Sequence, residues 1–193
     1  QHAGSLGPGR SLSRMIDFSG VDHLLDVAGG TGGLSIRLCE ANPNLRVTII
    51  DFPNVVSLGK EKVKEAGLSD RISFIGGNAL DYGWPKDVGA VLMSYLYNGV
   101  PGESIPELAL QAYNVIKPGG KYIVHDFMVE DDRSGPHLAA LWQLQHLAFT
   151  PNAKSITPSW VSSVMEDAGF IDIKQKVLIP GMTKVLWGSK PIK

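Results

Sequence analysis

A group of residues near the start of the chain has the types and spacing of a ligand-binding turn. Gly29, Gly30 and Gly32 follow a short apolar run in the stretch LLDVAGGTGGLS. Glycines allow a tight turn and let backbone N–H groups approach a ligand closely. Asp26 directly precedes this turn, and Asp51 lies about 20 residues beyond it, where a carboxylate can accept hydrogen bonds from ribose hydroxyls. Together these residues predict a site for a ligand that contains a nucleoside.

Two kinds of ligand that contain a nucleoside could bind at such a turn. After Gly30 and Gly32, the third glycine of the dinucleotide pattern is replaced by Ser35. A pyrophosphate would also be repelled by Asp26, whereas a carboxylate attracts a sulfonium or an ammonium group. The electrostatics therefore favour S-adenosylmethionine over NAD. A purely structural glycine turn is the alternative.

Strands alternate with helices along the chain, which determines where the turn lies. Apolar runs predict strands at 21–28, 45–51, 71–77, 87–97 and 121–129, with helices between them and at 136–148. The final stretch, IDIKQKVLIPGMTKVLWGS, predicts two strands joined by a hairpin at Pro180-Gly181. This alternation is typical of a parallel sheet covered on both faces, with the glycine turn at the edge where ligands bind.

Composition excludes several classes of function. The 193 residues are enough for one domain with a full core. A net charge of −1 provides no field for nucleic acid or for an anionic membrane, and no apolar run is long enough to span a bilayer. The one cysteine, Cys39, has no partner for an intramolecular disulfide, which fits a reducing compartment. We expect a cytoplasmic protein that binds neither nucleic acid nor membrane.

Five motifs carry a resemblance to a known family. LLDVAGGTG, VTIIDFPNVV, ISFIGGNAL, IKPGGKYIVHDF and TPSWVSSVMEDAGF occur in the same order as in the S-adenosylmethionine-dependent small-molecule O-methyltransferases. That group includes caffeate, acetylserotonin and polyketide-tailoring enzymes. The resemblance implies an α/β, Rossmann-like class I methyltransferase fold. Its sheet would have seven mostly parallel strands, an antiparallel C-terminal strand and helices on both faces.

The resemblance also implies a domain organisation. Members usually carry an N-terminal helical dimerisation domain, which this sequence lacks. Residues 1–20 are polar and rich in glycine, so we expect a connecting segment from such a domain. Residues 21–193 would then be the S-adenosylmethionine-binding catalytic domain of a protein that is a homodimer at full length.

S-adenosyl-L-methionine is the cofactor that the resemblance implies. The residues assigned to its site are Asp26, Gly29, Gly30, Gly32, Asp51, Phe52, Asn78, Ala79 and Ser94. Asn78 stands where the family has an acid near the adenine amino group. It can still bond the adenine, or it can serve only as a turn residue after a strand.

The fourth strand of the family ends in Leu-His-Asp-Trp, whose histidine deprotonates the acceptor hydroxyl. Aligned on SYLYNGV, Tyr97 takes the histidine position and Asn98 the aspartate position. A tyrosine is protonated at pH 7 and can orient a substrate, but it is a poor base. Of the two acids that flank the histidine, one corresponds to Asp126 and the other falls on Ser159. We predict Tyr97, Asn98 and Asp126 at the reacting centre, with a pocket wall as the alternative for Tyr97.

The acceptor site needs an apolar wall and a replacement base. The stretch HLAALWQLQHLAF has helical spacing that predicts an inward stripe made of Leu138, Leu141, Trp142, Gln145 and Phe149. The predicted acceptor contacts are Tyr95, Met128, Trp142, His146 and Phe149. None of His125, His137 and His146 is a convincing base. The acids are scattered, so no metal is expected.

These features predict an S-adenosylmethionine-dependent methyltransferase that acts on a small aromatic or polyketide-like molecule. A protein of the same fold that binds the cofactor but catalyses a reaction other than methylation is the first alternative. A non-catalytic binding or dimer-partner domain is the second. An NAD-dependent oxidoreductase is disfavoured by the glycine spacing.

Overall fold

One seven-stranded sheet organises the chain, and the computed structural model describes residues 2–81 and 83–192. The strands are β1 (His23–Val27), β2 (Arg46–Asp51), β3 (Ile72–Gly76), β4 (Val88–Ser94), β5 (Ile116–Phe127), β6 (Ile171–Ile179) and β7 (Thr183–Ser189). Their order is β3-β2-β1-β4-β5-β7-β6. The first five are parallel, and β7 runs antiparallel to β5 and β6. The predicted architecture is therefore confirmed.

The strand order reverses between β1 and β4. From β1 the chain moves outward to β2 and β3, and it then returns to the other side of β1 as β4. Every residue of Val88–Ser94 is buried, because a central parallel strand is covered on both faces. A crevice opens at such a reversal, outside the carboxyl ends of the strands.

Helices cover both faces of the sheet. They are α1 (His2–Met15), α2 (Gly33–Ala41), α3 (Pro53–Glu65), α4 (Ser104–Val115), α5 (His137–Phe149) and α6 (Pro158–Asp167), with a short 3-10 helix at Tyr97–Gly99. One apolar core joins the sheet to α1, α2 and α3, a second joins it to α4 and α6, and a small third core joins it to α5. The residue Thr157 caps α6 by accepting from the Trp160 N–H, as its N-terminal position requires.

The first segment, which was predicted to be a connection, forms helix α1. Helix α1 contacts α2, and Leu12, Ile16 and Phe18 are buried in the core on that face. This burial outweighs the low helix propensity of the glycines in the segment. His2 Nδ1 lies 2.9 Å from Thr31 Oγ1, which joins the start of α1 to the glycine turn. The division into residues 1–20 and 21–193 stays a prediction, and Gln1 and Lys193 lie outside the described residues.

Strand β5 begins earlier than the predicted residue 121. Val88 pairs with Ile116 and Ala90 with Lys121, so the residues between them form an irregularity inside the strand. Gly119 has a φ of 77°, and its N–H donates to the Lys190 carbonyl at 2.9 Å. The predicted KPGG turn is therefore part of the strand. The predicted hairpin at Pro180-Gly181 is confirmed, with the Met182 N–H donating to the Ile179 carbonyl at 3.0 Å.

The predicted inward stripe of α5 is wrong. Leu138 is 53% exposed, Leu141 62% and Phe149 80%, and Gln145 is also exposed. The buried side chains of this helix are Ala139 and Gln143. Apolar residues occur on every side of α5, so their spacing does not select a face. The orientation follows the hydrogen bonds of Gln143, whose Nε2 donates to the Phe127 and Ile156 carbonyls at 2.9 Å each.

Candidate active site

The glycine turn between β1 and α2 is closed tightly over a carboxylate. Ala28, Gly30 and Gly32 have φ values of 58°, 60° and 80°, a backbone region that favours glycine. A Cβ on Gly29 would lie 2.5 Å from Asp26 Cγ. Glycine is therefore required at position 29 because the turn passes directly over the Asp26 side chain. Residues 28–32, together with Asp26 and Asp51, are called the cofactor edge below.

Asp26 is fully buried at the end of β1. Ser35 Oγ donates to Asp26 Oδ2 at 2.5 Å, while Oδ1 has no partner among the described residues. Burial raises the pKa of Asp26 to about 7; the Ser35 hydrogen bond opposes the rise, and the Asp51 charge adds to it. A buried carboxylate oxygen without a partner favours a cationic or donor group beside it. Sequence reasoning did not predict that Ser35 contacts Asp26. The contact arises because Ser35 lies in the first turn of α2.

Asp51 ends β2 and holds the glycine turn. Its Oδ2 accepts from the Gly30 N–H at 2.7 Å, and its Oδ1 accepts from the Phe52 N–H at 2.7 Å. Each carboxylate oxygen can accept a second hydrogen bond. Asp51 is half-buried, so this remaining capacity is open to hydroxyl groups that reach the edge.

Four other residues were predicted for the cofactor site, and the polar groups of three of them are engaged with other partners. Asn78 Nδ2 donates to Asp81 Oδ2 at 2.7 Å, and Asn78 Oδ1 accepts from the Leu80 N–H at 3.1 Å. Asn78 thus forms a local turn, which was its alternative role. The Ala79 carbonyl accepts from Trp84 Nε1 at 3.0 Å. Ser94 Oγ lies 2.8 Å from His125 Nδ1, and Phe52 is 56% exposed.

Tyr97 lies in the core rather than at the strand edge. Its side chain is fully buried and its hydroxyl bonds the Tyr122 hydroxyl, which in turn donates to Met93 Sδ at 3.2 Å. Burial raises the pKa of Tyr97 well above its usual value. This geometry opposes the predicted direct contact between Tyr97 and an acceptor. Tyr97 packs within the apolar core, so the alternative role as a pocket wall stays a prediction.

The side chain that hydrogen-bonds Asp126 is that of Asn98. Asn98 Nδ2 donates to Asp126 Oδ1 at 2.6 Å and to the Phe127 carbonyl at 2.9 Å. The Asn98 backbone N–H donates to Asp126 Oδ2 at 3.2 Å. Burial raises the pKa of Asp126 to about 6, and the hydrogen bond from Asn98 opposes the rise. The resemblance implied a catalytic base beside this acid, and the side chain that the structure places there is Asn98.

An aromatic row lies beside this pair. The Trp142 ring is stacked on Phe127, with centroids 4.4 Å apart and planes inclined by 16°. Phe127 contacts Tyr95 at 5.5 Å, and Tyr95 has a φ of 59° directly after β4. Residues with such backbone strain cluster at active sites and ligand-binding sites. Tyr95, Asn98, Asp126, Phe127 and Trp142 are called the acceptor edge below.

The structure places the other predicted acceptor contacts in different environments. Met128 is fully buried in the core, and Phe149 is on the surface. His146 lies beside Trp142 with ring centroids 5.3 Å apart, and burial lowers its pKa. Phe127 and Gln143 were missed by sequence reasoning. The signal for Phe127 was its place directly after Asp126, and the signal for Gln143 was a polar residue within an apolar helix.

His125 connects three strands beneath the acceptor edge. Its Nδ1 lies 2.8 Å from Ser94 Oγ and its Nε2 lies 2.9 Å from Thr183 Oγ1. Burial lowers the pKa of His125 to about 3, so the ring is neutral at physiological pH. Both ring nitrogens are engaged, which leaves His125 no role as a base.

Comparison with known proteins assigns this geometry to a family. The sequence pattern of the O-methyltransferase domain matches residues 6–171. The chain belongs to the O-methyltransferase domain family. The predicted family membership is thereby confirmed, and S-adenosyl-L-methionine is the cofactor, as predicted.

Individual relatives of this methyltransferase domain carry different named activities. It is 29% identical over 182 residues to a 3-hydroxy-5-methyl-1-naphthoate 3-O-methyltransferase of Streptomyces sahachiroi, covering 94% of this chain and 52% of that protein. It is 32% identical over 175 residues to an L-tyrosine C(3)-methyltransferase of Streptomyces lavendulae, covering 89% and 48%. The domain spans about half the length of the curated relatives it matches.

A solved structure of similar sequence has the same fold. The S-adenosylmethionine-dependent methyltransferase SibL, in its apo form, is 30% identical to this domain with a TM-score of 0.83. The match covers 99% of this chain and 57% of that chain. The dimer and the cytoplasmic location stay predictions.

The residues of the cofactor edge fit S-adenosylmethionine. The unpartnered Asp26 Oδ1 suits the ammonium or sulfonium charge of that molecule, and the Asp51 oxygens suit its ribose hydroxyls. A pyrophosphate would instead meet two carboxylates. Within residues 2–81 and 83–192, no three histidine, cysteine or acidic side chains are grouped as a metal would require. No helix in the described part of the chain has the length and apolar character needed to cross a bilayer.

Proposed function

We propose that this domain transfers a methyl group from S-adenosylmethionine to a small aromatic or polyketide-like acceptor. The observation that carries the proposal is the glycine turn closed over Asp26, whose Oδ1 is buried without a partner among the described residues. Asp51 lies at the same edge and holds the turn through the Gly30 N–H. Relatives named as methyltransferases of a naphthoate and of tyrosine support an aromatic acceptor.

The residues of the cofactor edge have separate tasks in this proposal. Asp26 Oδ1 binds the positively charged amino acid portion, and Asp51 binds the ribose hydroxyls. The turn keeps both carboxylates fixed because Gly29 and Gly30 contact them directly. The bound cofactor supplies an electrophilic methyl group on a sulfonium.

The acceptor edge holds a planar molecule against the aromatic row. Tyr95 and Trp142 flank Phe127, and stacking on such rings favours a flat aromatic acceptor. Asn98 and Asp126 lie beside the row at the ends of β4 and β5. Holding the reacting atoms in line lowers the activation barrier. Positioning of this kind can contribute up to about 7–11 kcal/mol.

The position beside Asp126 has no efficient base. A carboxamide such as that of Asn98 takes up no proton at neutral pH, and Asp126 is bonded to it in the buried edge. We therefore propose an acceptor whose nucleophile needs no strong base, either an acidic hydroxyl or an activated ring carbon. The relative named as a tyrosine C(3)-methyltransferase supports the second kind of nucleophile.

Titration calorimetry with S-adenosylmethionine tests the cofactor edge. We expect Asp51→Ala to weaken binding by about 1–3 kcal/mol, the scale of a hydrogen bond to a charged group. Asp70→Ala is the matched control, because Asp70 is exposed and remote from the turn. Unchanged affinity in Asp51→Ala, or tighter binding of NAD than of S-adenosylmethionine by the unmodified chain, would refute the proposal. Formation of S-adenosylhomocysteine separates methyl transfer from binding alone.

A further inference from the structure

The hydroxyl of Ser35 makes a short contact with a carboxylate of the cofactor edge. Ser35 Oγ donates to Asp26 Oδ2 at 2.5 Å, and neither residue has any exposed surface. The bond joins the first turn of α2 to strand β1 beneath the glycine turn. Position 35 is also the one at which the dinucleotide pattern has a glycine, which has no side chain that could donate. The chain therefore has a donor to this carboxylate that a dinucleotide-binding turn lacks.

The Ser35 bond determines which oxygen of Asp26 stays free. Asp26 Oδ1 has no partner among the described residues. Gly29 lies directly against the carboxylate, since a Cβ there would lie 2.6 Å from Oδ2 and 2.9 Å from Oδ1. Turning the carboxylate would break the hydrogen bond from Ser35, and a buried donor without a partner is costly. Ser35 therefore fixes the orientation of the Asp26 side chain.

The strands around Asp26 do not favour its ionisation. Asp51 at the end of β2 is negatively charged, so it adds to the effect of burial and opposes loss of the Asp26 proton. Strand β4, which pairs with β1 on the other side, has no titratable side chain, and neither has the turn at 28–32. Of the contacts that act on Asp26 in the described part of the chain, the bond from Ser35 is the one that favours the anion.

The cations of the neighbouring helices are engaged elsewhere. Arg37 of α2 bonds Glu40 at 2.6 Å. His2 of α1 lies against Thr31 Oγ1, and burial lowers the pKa of its ring. Neither side chain is a hydrogen-bond partner of Asp26, whose one partner within residues 2–81 and 83–192 is the Ser35 hydroxyl. The charge that would balance an ionised Asp26 must therefore come with a ligand.

We propose that Ser35 is a positioning residue for S-adenosylmethionine, whose hydroxyl holds Asp26 as an anion and leaves Oδ1 free for the positively charged amino acid portion. This inference rests on the proposed function, because it assumes that Asp26 binds that portion. A cation binds the ionised carboxylate, so the Asp26 carboxyl releases its proton to the buffer when the cofactor binds at low pH. Ser35 determines the pH above which this release is no longer needed.

Calorimetric titration with S-adenosylmethionine across a range of pH tests this role. In the unmodified chain we expect affinity to rise about tenfold per pH unit up to about pH 7 and then to level off. In Ser35→Ala the levelling should move upward by about one pH unit, because the bond that favours the anion is lost. Affinity near pH 7 should therefore fall about threefold to tenfold, and the difference should close at higher pH. Titrations in two buffers of different ionisation enthalpy count the protons released, which should approach one at about pH 6.

Three other variants serve as controls. Cys39→Ala is the matched control, since Cys39 is buried one turn further along α2, and it should leave the pH profile unchanged. Asp26→Asn should bind without releasing this proton. Ser35→Cys retains a weak donor of similar size and should move the profile in the same direction as Ser35→Ala, by less. It decides the outcome if Ser35→Ala does not fold, which thermal unfolding shows. The ammonium group of the ligand titrates alike with every variant, so differences between variants report on the protein.

A loss of affinity in Ser35→Ala that is the same at every pH would give Ser35 a structural role alone and would overturn the inference. An unchanged profile would overturn it too, as would binding by the unmodified chain without proton release at low pH. In each of these results the cofactor still binds, so the proposed function stands. Failure of the unmodified chain to bind S-adenosylmethionine at any pH is a different result, which refutes the proposed function and this inference with it.

Discussion

At the cofactor edge, backbone holds the two aspartates in place, whereas at the acceptor edge side chains hold one another. At the cofactor edge, Gly29 and Gly30 contact two aspartates directly, and the turn needs little besides glycine and carboxylate. At the acceptor edge, Asn98 and Trp142 carry the unmatched polar atoms, and aromatic rings form the wall. A substitution outside these glycines changes a side chain and leaves the backbone of the turn in place. The acceptor edge can therefore change its chemistry while the cofactor edge continues to bind the same molecule.

Both edges bury an acid, but the partners of the two acids differ. Asp26 has one hydroxyl partner and one free oxygen, whereas both oxygens of Asp126 are occupied by Asn98 and the backbone. The free oxygen of Asp26 is suited to a ligand. Asp126 instead holds another side chain in place, and the atom without a partner among the described residues belongs to Asn98.

The largest effect that we expect comes from Gly29→Ala. Its Cβ would lie 2.5 Å from Asp26 Cγ, so the turn must move away from the carboxylate. We expect a loss of about 3 kcal/mol in the free energy of unfolding and at least about a tenfold loss of S-adenosylmethionine affinity. Gly4→Ala is the control, because nothing lies within 4 Å of a Cβ there. Urea unfolding and calorimetry measure the two quantities. Normal affinity in Gly29→Ala would show that the turn does not depend on backbone contact.

Gln143→Leu should act on the acceptor edge alone. It removes the hydrogen bonds to the Phe127 and Ile156 carbonyls, which we expect to cost about 1–3 kcal/mol of unfolding free energy. Affinity for S-adenosylmethionine should not change. Gln145→Leu on the exposed side of the same helix should stay within about 0.5 kcal/mol of the unmodified chain. Equal losses in both variants would mean that Gln143 does not determine how α5 is held.

A smaller effect is expected in the pH dependence of the free energy of unfolding, which should distinguish Asp26 from Asp126. Burial raises the pKa of Asp26 to about 7 and that of Asp126 to about 6. Each folded carboxyl keeps its proton above the pH at which the unfolded one loses it. The free energy of unfolding should therefore fall as pH rises from about 4, by at most about 1.4 kcal/mol per pH unit for each group.

Unfolding curves of Asp26→Asn and Asp126→Asn, each compared with the unmodified chain, measure these contributions. The difference for Asp126→Asn should stop changing near pH 6, and that for Asp26→Asn near pH 7. Asp70→Asn provides the exposed control. A difference that is flat between pH 4 and the cited value would show that the acid is not held in its neutral form.

The proximity of the glycine turn, Asp26 and Asp51 could be predicted from sequence because its signals are local. Gly29, Gly30 and Gly32 indicate a turn, an apolar run indicates the strand before it, and Asp51 ends the next strand. Parallel strands bring these ends together whatever the details of packing. Asn78 was also open to sequence reasoning, since its turn-forming role was one of two alternatives.

The acceptor edge was harder because its geometry depends on where irregular backbone points each side chain. Strand β4 ends at Ser94, and the following 3-10 helix directs Tyr97 into the core and Asn98 toward Asp126. No spacing rule for strands or helices applies to such a segment. The prediction for helix α5 was wrong for another reason. Its leucines predicted one buried face, but the hydrogen bonds of a single polar residue, Gln143, orient the helix differently. Helix α1 forms because the burial of Leu12 outweighs the low helix propensity of its glycines.

The orientation of α5 also determines how easily the acceptor edge can open. Leu138, Leu141, Leu144 and Leu147 are already in contact with solvent while the helix is in place. Lifting the helix from the sheet exposes Ala139 and breaks the stacking of Trp142, but it removes little aliphatic surface from an apolar environment. Ala139 and Trp142 supply the apolar attachment of this helix, and the hydrogen bonds of Gln143 add a directional attachment. A weaker attachment at Trp142 or Gln143 would therefore make the acceptor edge easier to open.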